Sequence, residues 1–295
     1  AAKAVVRLGV DRGHTMVGIH GGFPGLIAGD ARDLRWGDVE GWSAAGGAHL
    51  GTQRTIPGEE DLYGLARSIE TMGLDGLIII GGFQAYRALT RFHAERKRFP
   101  ALSIPMVVLP ASIDNNLPGS ELSIGADTAL NVLVEAIDRL KLSGSATKRA
   151  FVVETMGRWC GYLALMSAIA GGADYVFVPE NPPEEDWADH MATVLRRSRD
   201  AGRRSSIVVI AAGAADRAGN RITAEDVRRI MSDEMGEDAR VTILGHVQRG
   251  GVPSAYDRWM ASMVGHAAVD EVLRGDREPQ VVGVRANRPH FMPLL

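Results

Sequence analysis

Apolar runs of four to six residues alternate along this chain with longer stretches in which apolar side chains recur every three or four positions. Runs at 16–20, 76–80, 106–109, 150–154, 175–178, 207–211 and 241–244 predict strands, and 281–284 is a last strand-like run. Most are unbroken rather than alternating, the pattern of strands covered on both faces in a parallel sheet. Between them, 59–72 places Leu62, Leu65, Ala66 and Ile69 on one stripe, and 127–142 does the same with Leu130, Leu133, Val134, Ile137 and Leu140. Segments 184–199 and 224–235 open on acidic residues, which suit a helix N-terminus. Strand and helix in alternation predict a doubly wound α/β protein with mostly parallel sheets. Ligands of such folds bind beyond the carboxyl ends of the strands, so the loops after strands are where chemistry is expected.

Composition narrows this reading. With 295 residues, 45% hydrophobic and 23% charged, the chain is globular and long enough for one large domain or two ordinary ones. A net charge of −3 argues against a nucleic-acid or anionic-membrane partner, which would call for a basic excess. Cys160 is the sole cysteine, which rules out an intramolecular disulfide and fits a reducing cytoplasm. The most apolar stretch, 162–178, contains Asp174 and is too short and too polar to span a membrane. The first residues lack the charged-then-apolar pattern of a signal peptide. With no initiator methionine, the chain is expected to be a fragment. The loop 179–186, Pro-rich and acidic, reads as a helix entry, and no tandem repeat is visible. Lys3, Lys97, Lys141 and Lys148 are the only lysines. A GC-rich genome accounts for that in general, but guanidinium forks also suit phosphate.

Three sets of residues sit where chemistry is expected. Gly81 and Gly82 end one strand ahead of a helix, either to bring backbone N–H groups to an anion or simply to make a tight turn. Ser112, Asp114, Asn115 and Asn116 share the next strand-end loop. A carboxylate there is placed as a general base toward a sugar hydroxyl, or else the loop is an Asx-rich turn that caps itself. The third set pairs Glu154-Thr-Met-Gly-Arg-Trp-Cys-Gly161 with Leu244-Gly-His-Val-Gln-Arg-Gly-Gly251. Arg158, Arg240, His246 and Arg249 are expected near strand ends, as a clamp for a phosphate dianion or as surface ion pairs.

Those segments, together with Gly81-Gly-Phe-Gln-Ala-Tyr86, Ser112-Ile-Asp-Asn-Asn116, Ser123-Ile-Gly-Ala-Asp-Thr-Ala-Leu-Asn131 and Leu50-Gly-Thr-Gln-Arg-Thr55, resemble the ATP-dependent 6-phosphofructokinases, in the same order and over nearly the whole chain. The resemblance implies a fold of two Rossmann-like lobes. The larger, nucleotide-side lobe takes 1–125 plus 248–295, and the smaller sugar-phosphate lobe takes 126–247. It also implies transfer of the γ-phosphoryl of ATP, with Mg²⁺, to the 1-hydroxyl of fructose 6-phosphate. Asp114 then stands where the catalytic base does. Met156, Gly157, Arg158, His246 and Arg249 match sugar-phosphate contacts, and Arg54 matches an arginine near the transferred or second phosphate. Arg149 and Arg240 match arginines that reach a sugar phosphate across an interface, which implies a catalytic half or identical subunits as partner, in a cytoplasmic homo-oligomer, a tetramer.

The departures from the family pattern are informative. The expected first strand and Gly-Gly-Asp-x-x-Gly nucleotide loop are missing, so that the chain opens at the helix after them. Phe83 replaces an aspartate near the nucleotide metal, Asn116 a second aspartate of the base loop, and Ala212 a sugar-binding glutamate. Fewer carboxylates beside Mg²⁺ should cripple phosphoryl transfer. Gly-Gly-Phe-x-Ala-Tyr, Asn115-Asn-x-Pro-Gly119, Val39-Glu-Gly-Trp-Ser43 and Gly46-Gly-Ala-His-Leu50 resemble the C-terminal halves of the duplicated eukaryotic enzymes, which keep a sugar site for fructose 2,6-bisphosphate. The expectation is therefore a regulatory half that does not itself bind ATP and Mg²⁺. Asp114, which such halves usually lack, keeps open a trimmed catalytic half. A Rossmann-type nicotinamide oxidoreductase is the remote alternative, since no Gly-x-Gly-x-x-Gly follows any strand.

Overall fold

The computed structural model describes residues 1–294. Its elements run α1 (Ala2–Asp11), β1 (Met16–Ile19), α2 (Phe23–Ala28), β2 (Ala31–Leu34), α3 (Asp61–Met72), β3 (Leu77–Gly81), α4 (Phe83–Glu95) and β4 (Met106–Pro110). There follow α5 (Ala126–Thr147), β5 (Ala150–Thr155), α6 (Tyr162–Ala170), β6 (Tyr175–Phe177), α7 (Trp187–Asp200), β7 (Ile207–Ala211), α8 (Ala224–Asp233) and β8 (Ala239–Ile243). Next come α9 (Ala255–Leu273), β9 (Gln280–Arg285) and β10 (Arg288–Pro293). The chain divides into two compact units. One holds Ala1–Ser112, Leu117–Gly125 and the chain from Val252 onward; the other holds Ile113–Asn116 and Ala126–Gly251.

In the first unit β3, β4 and β9 are parallel, in the order β10-β9-β4-β3, with β10 antiparallel on the edge. The unbroken run of β4 is explained by its alternation between two cores. Met106 and Val108 pack with Leu89 and Phe92, whereas Val107 and Leu109 pack with Val264 and Ala268. The second unit has an all-parallel sheet in the order β6-β7-β5-β8. There Val152, Val208 and Ile210 meet Met191, Leu195 and Val227 on one face; Val153, Ile207 and Val209 meet Ile137, Ala164 and Ala168 on the other. Each such Val, Leu, Ile, Phe or Met side chain, fully withdrawn from water, contributes about 1.5–3 kcal/mol.

Several elements depart from the hydrophobic pattern. β1 joins no parallel sheet; it pairs antiparallel with β2 alone. β2 carries exposed Arg32 and Asp33, so no apolar run marks it. The ribbon covers a small core of Val6, Leu34 and Val39. β8 starts at Ala239 and stops at Ile243, one residue short of the expected end, because Leu244 already leads into a 3₁₀ turn over Gly245–Arg249. α5 runs on to Thr147, through Gly144, where a Cβ would lie 3.0 Å from Ser205 and 3.1 Å from Phe151. α7 begins at Trp187, after the prolines at 182 and 183, rather than at 184. α9 shows no single apolar stripe because its one exposed face carries Ala255, Trp259 and Leu273, while its covered side includes Asp257 and Glu271 beside Met260, Val264 and Ala268.

Candidate functional site

In the second unit β5 gives way at Thr155 to a loop over Met156–Gly161. Gly157 has φ +133°, and a Cβ on it would strike the carbonyl of Cys160. Gly213, just past β7, would with any side chain strike the carbonyl, C and Cα of Arg158. Instead its N–H donates to the Gly157 carbonyl at 3.1 Å, and the Ala212 N–H donates to the Thr155 carbonyl at 2.9 Å. Past β6, Glu180 accepts the Gly161 N–H on both carboxylate oxygens, at 2.7 and 2.9 Å. The loop backbone is therefore set by the loops after β6 and β7, and the Arg158 side chain is left exposed. Glu180 and Gly213 lay outside the expected site residues. Their positions one to three residues past a predicted strand are the only sign they leave in the sequence.

β8 lies beside β5, and its strand end carries His246 and Arg249 on the 3₁₀ turn. Residues three apart share an edge of such a turn, so both side chains lie on one edge, and both are exposed. Residues 113–116 belong to this unit, anchored by Ile113 against Ala129, Leu133 and Leu163. Asn115 has φ +51°, a left-handed conformation that asparagine tolerates. Asp114, half-buried, is near enough to act on Cys160. Burial above all pushes the Cys160 thiol up, with Glu180 and Asp114 adding to the shift and the Tyr162 backbone N–H opposing it. A thiol held protonated is a poor nucleophile. Asn116 is exposed beside this group, and Ala212 sits at the end of β7.

The expected grouping of Arg240 with the strand-end cations is corrected. Arg240 is the second residue of β8, and Arg149 immediately precedes β5. At about 3.3 Å per residue, Arg240 is roughly 13 Å along the strand from Leu244, and Arg149 roughly 20 Å from Thr155. Both arginines pair with Asp238 at the amino-terminal ends of these strands, at 2.7 Å for Arg149 and 2.8 Å for Arg240.

In the first unit Gly81 and Gly82 lie beside the end of β4. The Ala111 N–H donates to the Gly81 carbonyl at 3.0 Å, and a Cβ on Gly82 would lie 3.5 Å from the Ala111 carbonyl. Ser112 follows, half-buried, and Arg54 is exposed on an irregular segment. Phe83, the first residue of α4, is 57% exposed and outside the core formed by Leu89 and Phe92. Packing does not call for an aromatic ring there. Among the described residues no group of three or more His, Cys, Asp or Glu side chains is placed to hold a metal ion. No described helix is long and apolar enough to cross a membrane.

The architecture is that of a doubly wound α/β protein with cationic side chains gathered in strand-end loops. The chain belongs to the phosphofructokinase family, whose profile, described as Phosphofructokinase, matches residues 1–272. It is 41% identical over 272 residues to the ATP-dependent 6-phosphofructokinase of Schistosoma mansoni, covering 91% of this chain and 34% of that protein. It is 38% identical over 310 residues to ATP-dependent 6-phosphofructokinase 2 of Aspergillus oryzae, covering 98% of this chain and 40% of that protein. The fold matches the phosphofructokinase of Saccharomyces cerevisiae with a TM-score of 0.92 at 37% identity, over 99% of this chain and 42% of the other. The Pichia pastoris phosphofructokinase in the T-state matches with a TM-score of 0.94 at 36% identity, over 99% and 33%. The chain thus spans two fifths or less of the length of the two curated relatives.

Proposed function

We propose that this chain is the effector-binding part of a glycolytic, cytoplasmic ATP-dependent 6-phosphofructokinase, and that it takes a sugar bisphosphate such as fructose 2,6-bisphosphate. In this reading Arg158, His246 and Arg249 hold one phosphate. Met156, Gly157, Ser112, Asn115 and Asn116 line the sugar, and Arg54 serves the second phosphate. Arg149 and Arg240, set apart at the amino-terminal ends of β5 and β8, serve the site of a neighbouring subunit or half in an oligomer, a tetramer. ATP and Mg²⁺ belong to the rest of the protein. The observation that carries this reading is Phe83. It is a largely exposed aromatic ring at a strand end where the family pattern has a carboxylate near the metal, in a position where the core asks for no such ring. The effector would act by binding one of two states of the oligomer more tightly than the other.

Titration calorimetry on the full-length protein tests it. Fructose 2,6-bisphosphate or fructose 1,6-bisphosphate is expected to bind, and Arg158→Ala to weaken binding at least tenfold, as loss of a charge-assisted contact should. No heat at millimolar ligand would sink the reading. The second reading, a catalytic unit with Asp114 as general base, is favoured by the placement of Asp114 near the Cys160 loop. It requires Asp114→Asn to abolish a share of turnover that an intact base elsewhere in the protein cannot supply.

A further inference from the structure

Gln248 sits between exposed residues and is itself buried, at 1%, while its neighbour Val247 is 62% exposed. His246 and Arg249 on either side also face solvent. A buried amide needs partners, and Gln248 has two. Its Oε1 accepts the Met156 N–H at 3.1 Å, and its Nε2 donates to the Gly245 carbonyl at 2.9 Å. One partner can only donate and the other only accept, so the amide has a single orientation.

The position of these bonds gives them meaning. The last backbone rung between β5 and the chain after β8 runs from the Leu244 N–H to the Glu154 carbonyl, at 3.2 Å. Beyond it the chain curls into the 3₁₀ turn and stops offering carbonyls to the β5 side. The Gln248 amide takes the next place, on Met156. In the turn itself, Gly245 and Gln248 share one edge, and His246 and Arg249 share another. The geometry that turns His246 and Arg249 outward thus turns the amide inward, onto the loop that carries Arg158.

We infer that Gln248 is a positioning residue that locks the turn after β8 to the loop after β5, so that His246, Arg249 and Arg158 are presented as one set. Gln248 touches no ligand in this scheme; it fixes the spacing of the groups that do. Without the amide, the Met156 N–H loses its acceptor, and turn and loop move independently. The effect on ligand affinity rests on the function proposed above; the effect on the loop does not.

The experiment compares Gln248→Met, which removes both bonds at similar volume, with Gln248→Glu, which keeps an acceptor for Met156. Hydrogen–deuterium exchange on the full-length protein should quicken about tenfold or more at the Met156 amide in Gln248→Met. It should stay near wild type there in Gln248→Glu, and at Val208–Ile210 of β7 in both. Affinity for fructose 1,6-bisphosphate should fall about tenfold in Gln248→Met, although Arg158, His246 and Arg249 are all present. Unchanged Met156 exchange, or unchanged affinity, in a folded Gln248→Met protein overturns the inference. Should that variant not fold, loss of Met156 protection in folded Gln248→Glu overturns it instead. A wild-type protein that binds no bisphosphate defeats the proposed function, and the exchange at Met156 then decides the role of Gln248 alone.

Discussion

Gly213→Ala is the sharpest perturbation of the site, because the new methyl meets backbone rather than a side chain that can swing away. The three atoms nearest to it all belong to Arg158: the carbonyl oxygen, its carbon and Cα. Two responses are open. If the loop holds its place, overpacking costs about 1–3 kcal/mol. Weakening the bond from Gly213 to the Gly157 carbonyl adds about 1 kcal/mol. A loss of about 2–4 kcal/mol in a chain of this size lowers Tm by roughly 3–6 °C. If the loop gives way, stability is largely kept but Arg158 is carried out of register. The loss of one charge-assisted contact to phosphate then costs about 1.5–3 kcal/mol, or roughly 10–100-fold in affinity. Thermal melts and calorimetric titration with fructose 1,6-bisphosphate together cover both responses. Gly37→Ala is the control, since nothing lies within 4 Å of a Cβ there. A Gly213→Ala protein with the Tm and the affinity of the Gly37→Ala control would refute the argument that the loop after β7 sets the position of Arg158.

Other changes probe separate links. Asp238→Ala should shift stability by less than about 1 kcal/mol in urea unfolding, because its pairs with Arg149 and Arg240 are half-exposed; a larger loss would mean that the arginines are held there for the fold. Thr223 closes a reciprocal capping box with Asp226 at the start of α8, and Thr223→Ala should cost about 1 kcal/mol in the same assay. The Thr223 hydroxyl, followed by its backbone N–H and Arg229, holds the Asp226 carboxyl below the usual aspartate range against a smaller opposing effect of burial. The stability it contributes is therefore complete above the unfolded-state pKa of about 3.9 and is lost as pH falls through the lower folded-state value. Asp226→Asn should flatten that acid limb; a variant whose stability falls with acid as steeply as wild type would contradict the assignment.

Much of the fold was legible because burial on both faces leaves a mark that needs no alignment. β4, β5 and β7 are unbroken apolar runs, and each supplies two cores in alternation. β2 and α9 were not legible, for opposite reasons. One shows almost no apolar pattern because the ribbon leaves Arg32 and Asp33 in water; the other shows no stripe because Trp259 and Leu273 lie on its exposed face and Asp257 and Glu271 on its covered side. Arg158, His246 and Arg249 were found at strand ends because glycine follows each strand before the cation. Arg240 shares their local context in the sequence, but the register of β8 against β5 puts it at the amino-terminal end of the strand.

The sequence by itself determined the strand–helix alternation and the burial of the parallel strands, since each depends on residues near one another in the chain. Only the tertiary structure decided what holds those loops. Glu180 reaches Gly161, Gly213 lies against Arg158, and Gln248 takes the Met156 N–H, across 19, 55 and 92 positions of sequence respectively. The reason is physical. A hydrophobic run records how much water a segment loses, whereas a hydrogen bond or the gap left by a missing Cβ exists only once another part of the chain has been brought against it.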